Sequence, residues 1–150
     1  MKRPALLFWC QHSLGLGHLV RSLALAEALR ERFDVVLLNG GRFPTGMHAP
    51  DGVMVINLVP LGHDDTYELV SHDPEHDVES AKQHRIATIL DAIDRYEPQI
   101  GEQLAKITAA VDKPDFELQL DREFTAIRGK SIDFAVMERA PRVAVIDSGI

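Results

Sequence analysis

The sequence predicts an α/β fold organised around a parallel sheet, and three observations carry that prediction. Two short segments, 5–10 and 34–39, are apolar along nearly their whole length; an amphipathic helical stretch separates them; a glycine-bearing turn joins the first to the helix. Segments that are apolar throughout, rather than alternating, suit strands buried on both faces, and two parallel strands need a crossover about as long as a helix.

Taken in order, residues 5–10 (Ala-Leu-Leu-Phe-Trp-Cys) lie between Pro4 and the polar Gln11-His12-Ser13 and read as a buried first strand. That places Phe8 and Trp9 in the core and makes Cys10 a core thiol, although His12 shares its face by the period of two. Leu19, Leu23, Ala26 and Leu29 then recur at helical spacing, with Arg21, Glu27 and Arg30 on the other side, which predicts a helix over 17–32. Residues 34–39 form the second strand. It is closed by Gly40-Gly41, a pair able to adopt backbone angles that other residues avoid. Residues 53–58 form a third strand, and 62–77, acidic and rich in histidine, read as a long exposed loop. Pro74, preceded by Asp73, marks the start of a second long helix, whose stripe of Val78, Ala81, Ile86, Ile89, Leu90 and Ile93 runs up to Tyr96.

A doubly wound sheet would next require a fourth strand, but 99–107 is spaced like another helix, with Ile100, Leu104, Ile107 and Val111 on one side. The architecture therefore changes near Pro98, dividing the chain into 1–98 and a helical and mixed tail, 99–150. In the tail a short acidic segment follows Asp112-Lys113-Pro114, then a helical pattern at 131–138 and an apolar strand at 142–147.

Composition narrows the function. Sixteen Lys and Arg against 23 Asp and Glu give a formal charge of −7, which argues against a nucleic-acid partner. One cysteine forms no internal disulfide, and the six-residue apolar run near the N-terminus is too short for a signal or a membrane span. These features predict a cytoplasmic protein with no transmembrane segment. The sequence calls for no cofactor.

The chemistry concentrates at the first turn. Gly15 and Gly17 permit a tight strand-to-helix connection and close approach of a ligand to the backbone, and the helix start presents N–H groups and a positive dipole end to a phosphate, a pyrophosphate or a developing oxyanion. His18 at that end is disfavoured as the imidazolium and so suits a general base, and Arg21, three residues on, shares its face and can hold an anion. Asn39, Gly40 and Gly41 end the second strand on the same edge of the sheet and can border the pocket. The plainer alternative is a tight βα turn followed by an ordinary helix-start histidine. Elsewhere His72, Asp73, His76 and Asp77, with His63, Asp64 and Asp65 nearby, have the spacing of a metal site or of a solvated acidic loop; because they straddle a loop, the second reading is adopted and no metal is assigned.

The run 15–29, Gly-Leu-Gly-His-Leu-Val-Arg-Ser-Leu-Ala-Leu-Ala-Glu-Ala-Leu, resembles the first loop and helix of GT-B glycosyltransferases, the group that includes the lipid-linked N-acetylglucosamine transferase of peptidoglycan synthesis, and is similar to nucleotide-sugar hydrolases of nonulosonic acid synthesis. The likeness extends more loosely through Asn39-Gly40-Gly41 and Leu61-Gly62 to about Pro98. It implies a Rossmann-like parallel sheet, the incomplete N-terminal, acceptor-side half of a GT-B enzyme. His18 would be the base or an acceptor-orienting residue, and Gly15, Gly17, Arg21, Asn39, Gly40 and Gly41 would shape the acceptor or diphosphate pocket. The ligand would be a nucleotide sugar or sugar phosphate, and since the donor nucleotide in such enzymes is bound mainly by a second domain, a donor-domain chain would be needed for turnover.

The tail carries a different resemblance. Residues 131–139 (Ser-Ile-Asp-Phe-Ala-Val-Met-Glu-Arg) and 142–146 (Arg-Val-Ala-Val-Ile) resemble the sugar-phosphate side of mannose-1-phosphate guanylyltransferases, where Asp133 and Glu138 would be the polar residues near the sugar. That family's glycine-rich nucleotide loop, acidic metal ligand and tryptophan-aspartate-glycine segment are absent from this sequence, so a nucleotidyltransferase remnant is the alternative function, and a non-catalytic sugar-phosphate binding module is the third.

Overall fold

Three strands pair in parallel in the order β1-β2-β3: β1 is Ala5–Cys10, β2 is Asp34–Asn39 and β3 is Met54–Asn57. Ala5 faces Asp34, Cys10 faces Asn39, and Asn39 in turn faces Asn57, so all three strands point their carboxyl ends at one edge. The computed structural model describes residues 3–12 and 16–128. The chain divides into two compact units, Met1–Glu102 and Gln103–Ile150.

The first unit is an α/β arrangement. Helix α1, Gly17–Leu29, links β1 to β2, and α2, Val78–Tyr96, follows a small antiparallel hairpin of β4, Leu61–His63, and β5, Leu69–Ser71. Adjacent residues of a strand face opposite sides of a sheet, and β2 uses that to build two cores. Leu37 packs with Cys10 and with Leu19 of α1, joined by Phe8, Leu23 and Phe43, while Leu38 packs with Leu58 and with Ala92 of α2, joined by Leu7, Ile56 and Ile89. The sheet thus has a helix on each face. Each large side chain so enclosed stabilises the unit by roughly 1.5–3 kcal/mol.

Several expectations are corrected by this packing. β1 is not buried on both faces: most of it is half-buried, and Trp9 is 56 % exposed instead of lying in the core. The reason is position, since among the described residues β1 pairs only with β2 and is an edge strand. α1 ends at Leu29 rather than at residue 32, because a tight turn follows in which Arg32 and Phe33 both donate to the Leu29 carbonyl. Residues 62–77 are not one loop. They hold the β4–β5 hairpin, whose turn is organised by the Asp64 carboxylate; it accepts from the Thr66 hydroxyl, the Thr66 N–H and the Glu68 N–H, while Tyr67 takes a φ of 62°.

Nor does the second helix begin at Pro74. Asp73 turns the chain first, accepting from Glu75 N–H and from the His76 imidazole at 2.9 Å, a bond that holds its carboxyl below the ordinary carboxylate range. The helix then starts at Val78, with Asp77 as its cap accepting from Ser80 N–H at 2.7 Å. Asp77→Ala should therefore lower the unfolding free energy by about 1 kcal/mol, readable in urea denaturation; no change would show that the cap contributes nothing. The buried face of α2 is also rotated from the expected stripe: Ala81, Arg85 and Ala92 are buried, whereas Ile86 and Leu90 are exposed. Small alanines bring this helix close to the sheet, and Arg85 claims a place on the same face.

Beyond α2 the chain forms α3, Pro98–Ala110, inside which the division between the units falls, and α4, Phe116–Ala126, over the stretch expected to be merely an acidic segment. Its Glu123 is buried and paired with Arg122 at 2.6 Å and Lys106 at 3.7 Å. No helix among the described residues is long and apolar enough to cross a membrane. The expected helix 131–138 and strand 142–147, with Asp133 and Glu138, lie outside the described residues.

Candidate functional site

Crossover connections bring four segments to the carboxyl edge of the sheet: Gln11-His12 after β1, the start of α1, Gly40-Gly41 after β2, and the chain between β3 and α2. In open α/β sheets this edge is where ligands bind. Gly15 lies outside the described residues; Gly17 is the first residue of α1. Leu16 precedes it without a side-chain cap, and the first turn itself holds no acidic residue, so neither the cap position nor a carboxylate of that turn competes for the helix start. A side chain at Gly17 would meet only open space.

His18 and Arg21 are both exposed and linked: an Arg21 Nη2–H donates to His18 Nδ1 at 3.2 Å, and Arg21 Nε–H donates to the Gly17 carbonyl at 3.4 Å. Because a guanidinium only donates, Nδ1 is the accepting nitrogen in this contact, which leaves Nε2 to carry the ring's N–H. Two chemistries follow. Nε2–H can donate to a ligand oxygen as the ring stands, and Nδ1 becomes available as a base when Arg21 turns to another acceptor. The two residues paired by their spacing in the sequence are thus brought together.

Asn39, Gly40 and Gly41 stand at the same edge. The Asn39 side chain is fully buried, its amide donating to the Gly41 carbonyl at 2.7 Å and to Asn57 Oδ1 at 2.9 Å; its own Oδ1 is 3.0 Å from His12 Nε2, which must be the donor. Neither Gly40 nor Gly41 has a positive φ, so the expectation of unusual backbone angles is corrected. These glycines serve close approach instead. A Cβ at Gly40 would run into the Gln11 side chain, and one at Gly41 would strike the His12 carbonyl and come within 2.6 Å of its imidazole Cε1.

Arg85 is the polar residue that periodicity missed. From the buried face of α2 its Nη1 donates to the Gly40 carbonyl at 3.0 Å and to the Val59 carbonyl at 2.7 Å, and its Nη2 donates to Gln11 Oε1. Burial pushes the guanidinium pKa down. The one available signal was its spacing of four from Ala81, which places a charge on a face otherwise made of small residues.

Of the residues weighed as metal ligands, Asp73 is occupied locally with His76, Asp77 with the start of α2 and Asp64 with its turn, and His76 packs edge-on against His84 with centroids 4.4 Å apart. Among the described residues no group of three His, Cys, Asp or Glu is placed to hold a metal ion. Compared with known proteins, the chain matches no family model, no curated protein and no solved structure.

Proposed function

We propose that the first unit is the acceptor-side half of a GT-B-type glycosyltransferase, Rossmann-like in topology, binding the anionic part of a nucleotide sugar or sugar phosphate at the start of α1. The observation that carries this reading is the exposed His18–Arg21 pair on an uncapped helix start, at the carboxyl edge of a parallel sheet. The order β1-β2-β3 with helices on both faces is also that of one half of a doubly wound domain.

In this reading Arg21 holds His18 Nδ1 at rest. A bound phosphate oxygen competes for the guanidinium, which prefers an anion to a neutral nitrogen. Nδ1 of His18 is then free to take the proton of an acceptor hydroxyl as that oxygen forms its bond to the anomeric carbon and the nucleoside diphosphate departs. The donor is supplied by a further domain.

Titration of the 150-residue chain with inorganic pyrophosphate, followed by amide and imidazole NMR, tests the reading. Shifts should centre on Gly17, His18 and Leu19, and Arg21→Ala should weaken binding about tenfold or more. With a donor domain supplied, His18→Ala should slow turnover roughly 10²- to 10⁴-fold without altering the melting curve. Shifts centred elsewhere, or binding indifferent to Arg21, would remove α1 as the anion site.

A further inference from the structure

At the opposite, amino end of the same strands the first unit holds a cavity of about 710 Å³, lined among others by Arg3, Ala5, Val36, Met54, Arg95 and Tyr96. That volume lies within the range of small-molecule sites, roughly 300–1,000 Å³. Its wall is of mixed character. Val36 is a buried residue of β2, Met54 on β3 is 53 % exposed, and the Tyr96 hydroxyl donates to Met54 Sδ at 3.1 Å, which fixes the phenol ring beside the thioether. The result is an aromatic and thioether surface left open to solvent.

The charges in this cavity run against those of the chain. Two guanidiniums, Arg3 and Arg95, accompany a single carboxylate, Asp34, in a protein of formal charge −7. Asp34 is already engaged, accepting from Arg3 Nε–H at 2.9 Å, and Arg3 also donates to the Arg30 carbonyl at 2.7 Å. Arg95 differs: among the described residues it forms no ion pair, and its guanidinium carbon lies 5.8 Å from the centroid of the Tyr96 ring. Its place in the last turn of α2 complements the helix dipole, but that consumes none of its hydrogen-bond donors.

We propose that this cavity binds a small organic anion with a flat apolar body, the apolar part lying against Val36, Met54 and Tyr96 and the anionic group taken by Arg95. The site is separate from the His18–Arg21 edge and does not depend on the glycosyltransferase reading.

The probe is 8-anilinonaphthalene-1-sulfonate, an aromatic body carrying one sulfonate, titrated into the full 150-residue chain by calorimetry and by NMR of ¹³C-labelled methionine methyls. One saturable site is expected, moving the Met54 methyl, assigned through Met54→Leu, and leaving Met47 in place. Arg95→Gln should weaken binding at least about tenfold while Arg95→Lys keeps most of it, and raising ionic strength should weaken it progressively. The uncharged N-phenyl-1-naphthylamine, which leaves the protein unaltered, should bind about tenfold more weakly than the sulfonate. Unchanged affinity in Arg95→Gln, equal affinity for the uncharged analogue, or methyl shifts at Met47 instead of Met54 would each overturn the proposal.

Discussion

Arg85→Ala is expected to lower the unfolding free energy by about 2–4 kcal/mol, the range for stranding buried acceptors that a charged donor had satisfied. The guanidinium serves three acceptors at once, the carbonyls of Gly40 and Val59 and the side-chain oxygen of Gln11, the first of these bonds buried and the other two part-buried. Arg85→Lys should recover only part of the loss, since an ammonium is a point donor and cannot fork to carbonyls on two segments. Arg85→Met, close in volume but without donors, should resemble alanine, which separates lost hydrogen bonds from lost packing. Although burial depresses this pKa, an arginine remains charged at neutral pH, so the loss should be flat between about pH 6 and 9. Denaturant titration of the variants measures it; a loss in Arg85→Ala below about 1 kcal/mol, or full rescue by lysine, would show that the three acceptors find other partners.

Gly41→Ala is expected to cost about 3 kcal/mol, at the upper end of what overpacking usually costs. The new methyl would meet the His12 carbonyl, which is backbone, and the imidazole, at 2.6 Å from Cε1 and 2.8 Å from Nδ1. Neither can retreat cheaply, because the ring is buried and held to Asn39, whose amide is itself held by Asn57 and by the carbonyl of Gly41. Gly40→Ala should cost less, since its nearest obstacle is the far end of the Gln11 side chain. Thermal melts with NMR of the His12 imidazole distinguish the outcomes: an alanine at 41 that left both unchanged would mean that the end of β2 has slack these contacts do not reveal.

What the sequence disclosed, and what it hid, divides along physical lines. β1, α1, β2 and β3 were legible because each announces itself locally, by a run of apolar residues or by a helical period. The start of α2 was not, since Asp73-Pro74 and Asp77-Val78 are both acceptable openings, and the choice rests on Asp73 being spent on Glu75 and His76. Trp9 misled because an apolar run does not say whether its strand is central or at an edge. At the candidate site, the pairing of His18 with Arg21 followed from a spacing of three on one helix. Arg85 was invisible because its partners lie 26, 45 and 74 residues away, and no local pattern encodes contacts of that range. Gly40 and Gly41 were noticed for the wrong reason: glycine in a sequence signals freedom, but only the fold tells whether the freedom is one of angle or of proximity.

Trp9 is the chain's sole tryptophan, and it stands half in solvent on the outermost strand of the described sheet. Indole emission responds to the polarity around the ring, so the intrinsic fluorescence of this protein is that of a single address. Whatever comes to lie over that edge, a ligand or another polypeptide, changes the surroundings of one chromophore with no second tryptophan to dilute the signal. The fold carries an optical reporter on the edge strand of its described sheet.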